Sequence, residues 1–297
     1  MRIVRRLAAV SAATLMLAVG AIDAGHAAAA GTVLFIGNSF TLGTGSDVAE
    51  YRRETVTDLN DEGDGGVAAL FKTFAEEAGF AFDVAVEAHG GVGLDFHLRN
   101  AKREIGSRRW DVVVAQSYST LDEEKPRDAA RLIAASRDLA DLLRARNPKV
   151  ALFLTSTWSR PDQVYLDSGA WAGTPIQAMG MDIRAAYDRA ASAAGAAIVP
   201  VGEAFNRAIA VGFADGNPYD GIEPGKVNLW TFDHYHASTY GYYLEALMVF
   251  GRVTGRDPRS LGNEERAGME LGLSRAQVGA LQQIAGEELD LLKRPRR

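Results

Sequence analysis

The sequence of 297 residues contains no cysteine, which excludes disulfide bonds, thiolate zinc sites, iron–sulfur clusters and a cysteine nucleophile. It also lacks an excess of positive charge, because 38 acidic residues outnumber 32 lysines and arginines and leave a net charge of −6. A nucleic-acid partner is therefore not expected. With 47% hydrophobic and 24% charged residues, the composition is that of an ordinary globular protein and excludes a disordered or fibrous chain.

Long hydrophobic runs are absent after the N-terminal segment, so no membrane-spanning helix is expected in the rest of the chain. The N-terminal segment carries three arginines, followed by the apolar stretch 7–22 and the small residues of 25–30. This order is typical of a secretory signal peptide. We predict that residues 1–29 are cleaved and that the mature protein is periplasmic or secreted, without stable insertion into a membrane.

The remaining chain alternates short apolar runs with longer segments of helical periodicity, which predicts a parallel sheet covered by helices on both faces. The predicted strands are 32–36, 82–86, 111–115, 150–155 and 197–201. The predicted helices are 67–78, 96–105, 128–146, 179–194, 203–211, 239–253 and 274–292, the last with Ser274 as its N-cap. The expected fold is therefore a three-layer α/β/α sandwich with a flavodoxin-like, five-stranded parallel sheet.

No repeat or interdomain linker divides this pattern, so residues 30–258 are predicted to form one domain. Residues 259–297 are predicted to be a C-terminal helical extension of that domain. The polar, glycine-rich stretch 43–66 is long for a connection inside a compact domain, and such loops are usually functional or mobile. Whether it covers a binding site stays open at this point.

Polar residues follow the predicted strands, where ligands bind in open α/β sheets. Ser39 follows the first strand and could act as a nucleophile, with His236 as its base and Asp233 to orient His236. An oxyanion could be held by the backbone N–H groups of Ser39 and Gly91 and by the side-chain amide of Gln116. Together these residue types predict acyl-transfer chemistry that needs no cofactor and no metal ion.

Three short motifs in this order resemble those of the SGNH, or GDSL-type, esterases and lipases. Residues 37–39 (Gly-Asn-Ser) resemble the G-D-S block, Asp233-x-x-His236 resembles the D-x-x-H block, and Gly91 lies where the family has its oxyanion glycine. The run 35–41 is similar to an exported bacterial subgroup with G-N-S-F in place of G-D-S-L. The resemblance implies this fold and a serine esterase with catalytic residues Ser39, Asp233 and His236.

The sequence departs from the family at its third block, G-x-N-D, whose asparagine is an oxyanion donor. Gln116 stands near that place and can offer the same amide N–H from a longer side chain, with Ser117 as the alternative donor. His234 is the competing candidate for the base, although the D-x-x-H spacing favours the histidine two residues later.

Four further residues beside the predicted site are candidates for substrate binding: Asn38, Trp158, Arg160 and Trp230. The two tryptophans could instead pack in the core, and Arg160 could simply pair with an acidic side chain.

These observations predict an exported serine hydrolase that cleaves a small-molecule or glycan ester, with O-deacetylation of a carbohydrate as a specific hypothesis. Two other readings stay open, namely a non-catalytic periplasmic ligand-binding protein and an O-acyltransferase. Fold alone does not choose among these functions.

Overall fold

The computed structural model describes residues 30–293, so the predicted signal peptide lies outside the described residues. A single parallel sheet runs through the molecule in the order β2-β3-β1-β4-β5-β6. The strands are β1 (Ala30–Gly37), β2 (Thr57–Asp58), β3 (Ala81–Ala88), β4 (Val112–Ala115), β5 (Ala151–Ser156) and β6 (Ala197–Pro200). The five predicted strands are all present, in the flavodoxin-like order, and the predicted fold class is confirmed.

The sheet has six strands rather than the predicted five. The additional strand, β2, has two residues and pairs with β3 at the edge of the sheet, within the stretch 43–66. It has no apolar run of its own, so sequence periodicity could not reveal it. The same stretch is held against the body of the protein, since the Tyr51 hydroxyl donates to Glu270 Oε2 at 2.8 Å.

Two helical layers cover the sheet. The helices are α1 (Ser39–Leu42), α2 (Gly66–Glu77), α3 (Leu94–Asn100), α4 (Lys102–Ile105), α5 (Ala130–Arg146), α6 (Pro161–Tyr165), α7 (Ile176–Ala194), α8 (Val201–Ala210), α9 (Thr239–Thr254), α10 (Arg266–Glu270) and α11 (Arg275–Leu292). In one layer α2 packs against α9, and in the other α5 packs against α3 and α7. The chain runs from β1 toward one edge of the sheet and later toward the other edge. Right-handed crossovers in these two directions place the connecting helices on opposite faces of the sheet.

Two sequence predictions about helices meet different outcomes. The helix predicted at 96–105 is two helices, because Ala101 has a non-helical backbone between α3 and α4. The predicted N-cap of the last helix is confirmed, since Ser274 and Gln277 form a reciprocal capping box at the start of α11. That helix packs against α8 and α9. Among residues 30–293, no helix combines the length and apolar character needed to cross a membrane.

The centre of the sheet determines where a site can form. The side chains of 33–36 in β1 are fully buried, and β1 is hydrogen-bonded to β3 on one side and β4 on the other. The connection after β1 leads toward the β3 side and the connection after β4 leads toward the β5 side, which opens a crevice at the carboxyl ends of β1 and β4. Ser39 lies two residues beyond the end of β1, at this crevice.

Candidate active site

A tight turn after β1 presents Ser39. Asn38 caps α1, with its side-chain Oδ1 accepting from the Phe40 N–H at 3.1 Å. Gly37 has to be glycine, because a Cβ atom there would lie 2.0 Å from Thr41 Oγ1. The Ser39 N–H begins the first turn of the helix, where it has no intrahelical acceptor. The turn therefore directs both the hydroxyl and the backbone N–H of Ser39 toward the crevice end of the sheet.

A continuous chain of hydrogen bonds joins Ser39 to His236 and Asp233. Ser39 Oγ lies 2.9 Å from His236 Nε2, although the two residues are 197 positions apart. His236 Nδ1 lies 2.7 Å from Asp233 Oδ2. A carboxylate can only accept, so Nδ1 carries a proton and Nε2 presents a lone pair to the serine hydroxyl. This tautomer is the one that a general base needs.

Asp233 is held by four donors. Its Oδ1 accepts from Thr231 Oγ1 at 2.6 Å and from the backbone N–H groups of Tyr235 and His236, both at 2.9 Å. Burial acts to raise the pKa of Asp233, but these hydrogen bonds and that from the His236 ring outweigh it and lower the pKa to about 2. Asp233 is therefore ionised throughout the neutral range.

Thr231 is the member of this group that sequence reasoning missed. Its signal was available, because a threonine two residues before an aspartate can donate its hydroxyl locally. The backbone of the loop is closed by Thr231 N–H donating to the His236 carbonyl at 2.8 Å. These local bonds position Asp233 and His236 before any long-range contact is made.

The loop that follows β3 lies beside the turn 37–41, which carries Ser39. The His89 N–H donates to the Gly37 carbonyl at 3.2 Å, and Asn38 Nδ2 donates to the Val92 carbonyl at 2.9 Å. Gly91 is exposed within this loop and has a φ of +74°, in the left-handed region that favours glycine. The loop is thus tied to the turn on both sides of Gly91.

Gln116 is buried behind the turn 37–41 rather than on an open surface. Its Oε1 accepts from the Asn38 N–H at 3.2 Å and from Thr41 Oγ1 at 3.4 Å, while its Nε2 donates to the Ser117 carbonyl. One amide proton is therefore already used inside the protein. Ser117, the alternative donor, has its hydroxyl accepting from the Leu94 N–H at 3.2 Å.

Three of the four candidates for substrate binding are buried and engaged within the protein. The Asn38 side chain is buried and engaged by Phe40, Val92 and Ser117, so it supports the turn instead of facing a ligand. Trp158 is fully buried and stacks on Phe40 with ring centroids 4.0 Å apart.

Trp230 is also buried, with its Nε1 donating to the Ser159 carbonyl at 3.0 Å. Both tryptophans are core residues, because burying a large ring outweighs exposing it where space allows. Sequence could not distinguish this from a binding platform, since the loops that carry the tryptophans fold inward only in the tertiary structure.

Arg160, the fourth candidate, lies close to the histidine. Its guanidinium carbon is 3.6 Å from the Tyr235 ring centroid, and that ring is 4.2 Å from the His236 ring. The guanidinium is already paired with Asp162, at 2.6 Å and 3.0 Å, and donates to Ser119 Oγ at 3.1 Å. Its charge is therefore largely compensated within the protein.

His234 is turned away from Ser39. Its ring lies against Tyr219, with centroids 4.3 Å apart, and its backbone has a φ of +54°. No hydrogen bond joins it to Ser39 or Asp233 among the described residues. In residues 30–293 no group of histidine and carboxylate side chains has the arrangement of a metal site.

Comparison with known proteins adds the fold family. No family model matches the chain, and no curated protein matches it in sequence. A DUF4886 family protein from Bacteroides uniformis is 18% identical with a TM-score of 0.60, over 90% of this chain and 97% of that one. A protein from Slackia heliotrinireducens described as a candidate SGNH hydrolase is 20% identical with a TM-score of 0.52, over 75% and 99%.

An acetylxylan esterase from Geobacillus stearothermophilus, Axe2, is 16% identical with a TM-score of 0.51, over 77% of this chain and 96% of that one. The sheet order, the turn that carries Ser39 at the end of β1 and these similarities together identify the fold of this chain as that of the SGNH hydrolases.

Proposed function

We propose that this protein is a serine hydrolase that cleaves carboxylic esters through Ser39, His236 and Asp233. The observation that carries the proposal is the unbroken Ser39–His236–Asp233 hydrogen-bond chain, with links of 2.9 Å and 2.7 Å. His236 has the tautomer of a base, and Asp233 is ionised to stabilise the imidazolium that forms. This arrangement favours catalysis over ligand binding alone.

The reaction begins when Ser39 Oγ attacks the ester carbonyl carbon and its proton passes to His236 Nε2. The backbone N–H groups of Ser39 and Gly91 then stabilise the oxyanion of the tetrahedral intermediate. His236 returns the proton to the departing alkoxide, which leaves Ser39 acylated. A water molecule, deprotonated by His236, then attacks the acyl carbon. The bond from this carbon to Ser39 Oγ breaks, His236 returns the proton to Oγ, and the carboxylic acid leaves.

Gln116 is proposed as the third oxyanion donor through the amide proton that Ser117 does not use. Its two acceptor contacts give it a second role in supporting the turn. Replacing Gln116 by alanine is expected to lower kcat by about 10²–10³-fold if the amide holds the oxyanion.

The substrate we propose is a short acyl ester on a polar molecule, such as an O-acetylated glycan. The similarity to an acetylxylan esterase favours this class. The proposed periplasmic or secreted location, which follows from the leader sequence alone, would bring the enzyme to extracellular glycans. We therefore expect acetate esters to be cleaved faster than long-chain esters.

The test is hydrolysis of p-nitrophenyl acetate, butyrate and octanoate by the purified protein and by the Ser39→Ala variant. Turnover that requires Ser39 and is fastest on acetate supports the proposal. A wild-type protein that turns over none of these esters, and that a fluorophosphonate probe does not label at Ser39, would contradict it. Acyl transfer to an added alcohol in preference to water would instead identify an acyltransferase.

A further inference from the structure

A second histidine–carboxylate pair lies beneath the turn 37–41, which carries Ser39, and takes no part in the mechanism above. Glu87, near the end of β3, is 0% exposed, and His97, on α3, is 1% exposed. His97 Nδ1 contacts Glu87 Oε2. His97 Nε2 lies 2.8 Å from the carbonyl oxygen of Gly37. The pair therefore links two buried ionisable side chains to the backbone two residues before Ser39.

The peptide between Gly37 and Asn38 is held on both of its sides. Its carbonyl accepts from His97 Nε2 at 2.8 Å and from the His89 N–H at 3.2 Å. Its N–H donates to Gln116 Oε1 at 3.2 Å. Three different segments of the chain thus restrict rotation of this peptide, whose orientation sets where Ser39 begins its turn.

The hydrogen-bond partners determine where the protons are. A carbonyl oxygen can only accept, so His97 Nε2 must carry a proton. A proton must also lie between Nδ1 and Glu87, either on the ring or on the carboxyl, because two lone pairs would repel. In both cases the pair has zero net charge and His97 has no lone pair for a proton from substrate. His97 cannot be a general base in this arrangement.

Other charged groups face the pair from the neighbouring loops. His89 Nε2 lies 3.7 Å from Glu87 Oε1, and its Nδ1 lies 2.6 Å from Glu62 Oε1. This places a partly exposed Glu62–His89 pair between solvent and Glu87. Glu87 therefore faces a histidine ring on each of its two oxygens, His97 at Oε2 and His89 at Oε1.

We propose that Glu87 and His97 are positioning residues that hold the Gly37 carbonyl and so place the Ser39 hydroxyl for attack. The inference rests on the proposed function, since it assigns a role in placing the nucleophile. A displacement of the nucleophile by about 1 Å can lower the rate by 10²-fold, so a fixed peptide here matters to kcat. Substrate affinity does not depend on it.

The test uses two substitutions that each replace one nitrogen of His97. In His97→Asn the amide nitrogen is near the position of Nδ1, so it contacts Glu87 and does not reach Gly37. In His97→Gln the amide nitrogen is near the position of Nε2, so it reaches the Gly37 carbonyl. We expect kcat on p-nitrophenyl acetate to fall about 10–10²-fold in His97→Asn with KM within about twofold of wild type. We expect His97→Gln to restore kcat to within about fivefold.

Controls separate positioning from loss of stability. Val84→Ala opens a cavity in the same strand without touching the turn, so its kcat well below its melting temperature should equal that of wild type. If His97→Asn does not fold, Glu87→Gln/His97→Asn, which buries no charge, is expected to show the same fall in kcat.

The inference is overturned if a folded His97→Asn protein keeps kcat within threefold of wild type, if its defect is in KM, or if His97→Gln is equally impaired. The first of these results leaves the proposed esterase function intact. If the wild type turns over no ester, the proposed function fails instead. The backbone amide resonances of Asn38 and Ser39 then decide, since they should shift in His97→Asn and return in His97→Gln. Unchanged resonances would overturn the inference.

Discussion

Two histidine–carboxylate pairs of this protein, Asp233–His236 and Glu87–His97, have the same connections and opposite surroundings. His236 contacts Asp233 through Nδ1 and Ser39 through Nε2. In the same way, His97 contacts Glu87 through Nδ1 and the Gly37 carbonyl through Nε2. His236 and Asp233 reach solvent, whereas His97 and Glu87 are buried.

The difference in function follows from the atom at Nε2. A serine hydroxyl donates to His236, so this histidine keeps a lone pair and can take a proton. A carbonyl oxygen only accepts, so His97 has to donate and can hold the backbone but cannot act as a base. The comparison teaches that a histidine–carboxylate pair does not by itself identify a catalytic base. The group on the other ring nitrogen decides.

The largest effects are expected when the side chain of Ser39 or His236 is removed. Ser39→Ala and His236→Ala should each lower kcat by about 10⁴–10⁶-fold, because nucleophile and base act as one unit. Steady-state hydrolysis of p-nitrophenyl acetate measures this. His234→Asn is the matched control, since asparagine tolerates the positive φ there, and its kcat should stay within about threefold of wild type. Equal losses in His234→Asn would contradict the assignment of the base.

A smaller loss in kcat is expected when only the Asp233 carboxylate is removed. Asp233→Asn should lower kcat by about 10²–10⁴-fold, because the amide no longer fixes the tautomer of His236 or stabilises its charge. The pKa of about 2 means that Asp233 in the wild type stays ionised at pH 4 and above.

Any loss of wild-type activity between pH 4 and pH 7 should therefore not come from protonation of Asp233. The stability that this lowered pKa contributes is complete above the unfolded pKa of about 4 and is lost as the pH falls toward 2. A kcat–pH profile together with a urea-unfolding series checks both statements. A wild type that loses no more stability than Asp233→Asn as the pH falls from about 4 to about 2 would contradict the second statement.

Glu245 on α9 is another buried carboxylate, and no histidine of residues 30–293 lies beside it, which sharpens the comparison. Burial raises its pKa to about 8, and its Oε2 has no hydrogen-bond partner among the described residues. The folded state then holds a proton that the unfolded state has lost, so stability should fall between pH 4.5 and 8, by at most about 1.4 kcal/mol per pH unit.

The Glu245→Leu variant should lack that slope and should be more stable than wild type at pH 8. Urea unfolding at four pH values measures the difference. Identical slopes in the two proteins would show that Glu245 has a charge-stabilising partner after all.

The smallest effect is expected at Phe232, which lies in the loop that carries Asp233 and His236 and is 88% exposed. Phe232→Ala should leave the free energy of unfolding within about 0.5 kcal/mol of wild type, because the ring buries almost no surface. It should also leave kcat on the acetate ester within about twofold, since Asp233 and His236 are held by Thr231 and the loop backbone. A tenfold loss in kcat would mean that the ring contacts the substrate or orders the loop.

Local patterns in the sequence were enough to predict the parallel α/β architecture and the contact between Asp233 and His236. The buried run of β1 and the helical periodicities are properties of single segments. Asp233 and His236 are three residues apart, so one loop determines how they meet. The N-cap of α11 is equally local, because Ser274 bonds to Gln277.

The tertiary structure decided what depends on contacts between distant segments. The burial of Trp158 and Trp230, the engagement of Asn38 by the loop after β3, and the position of Gln116 behind the turn could not be read from their neighbours. The Glu87–His97 pair is the clearest case, because its proposed role depends on the hydrogen bond from His97 to the Gly37 carbonyl, 60 residues away in sequence. A side chain's proton donors and acceptors are known from its residue type, but the atoms that satisfy them are chosen only when the chain is packed.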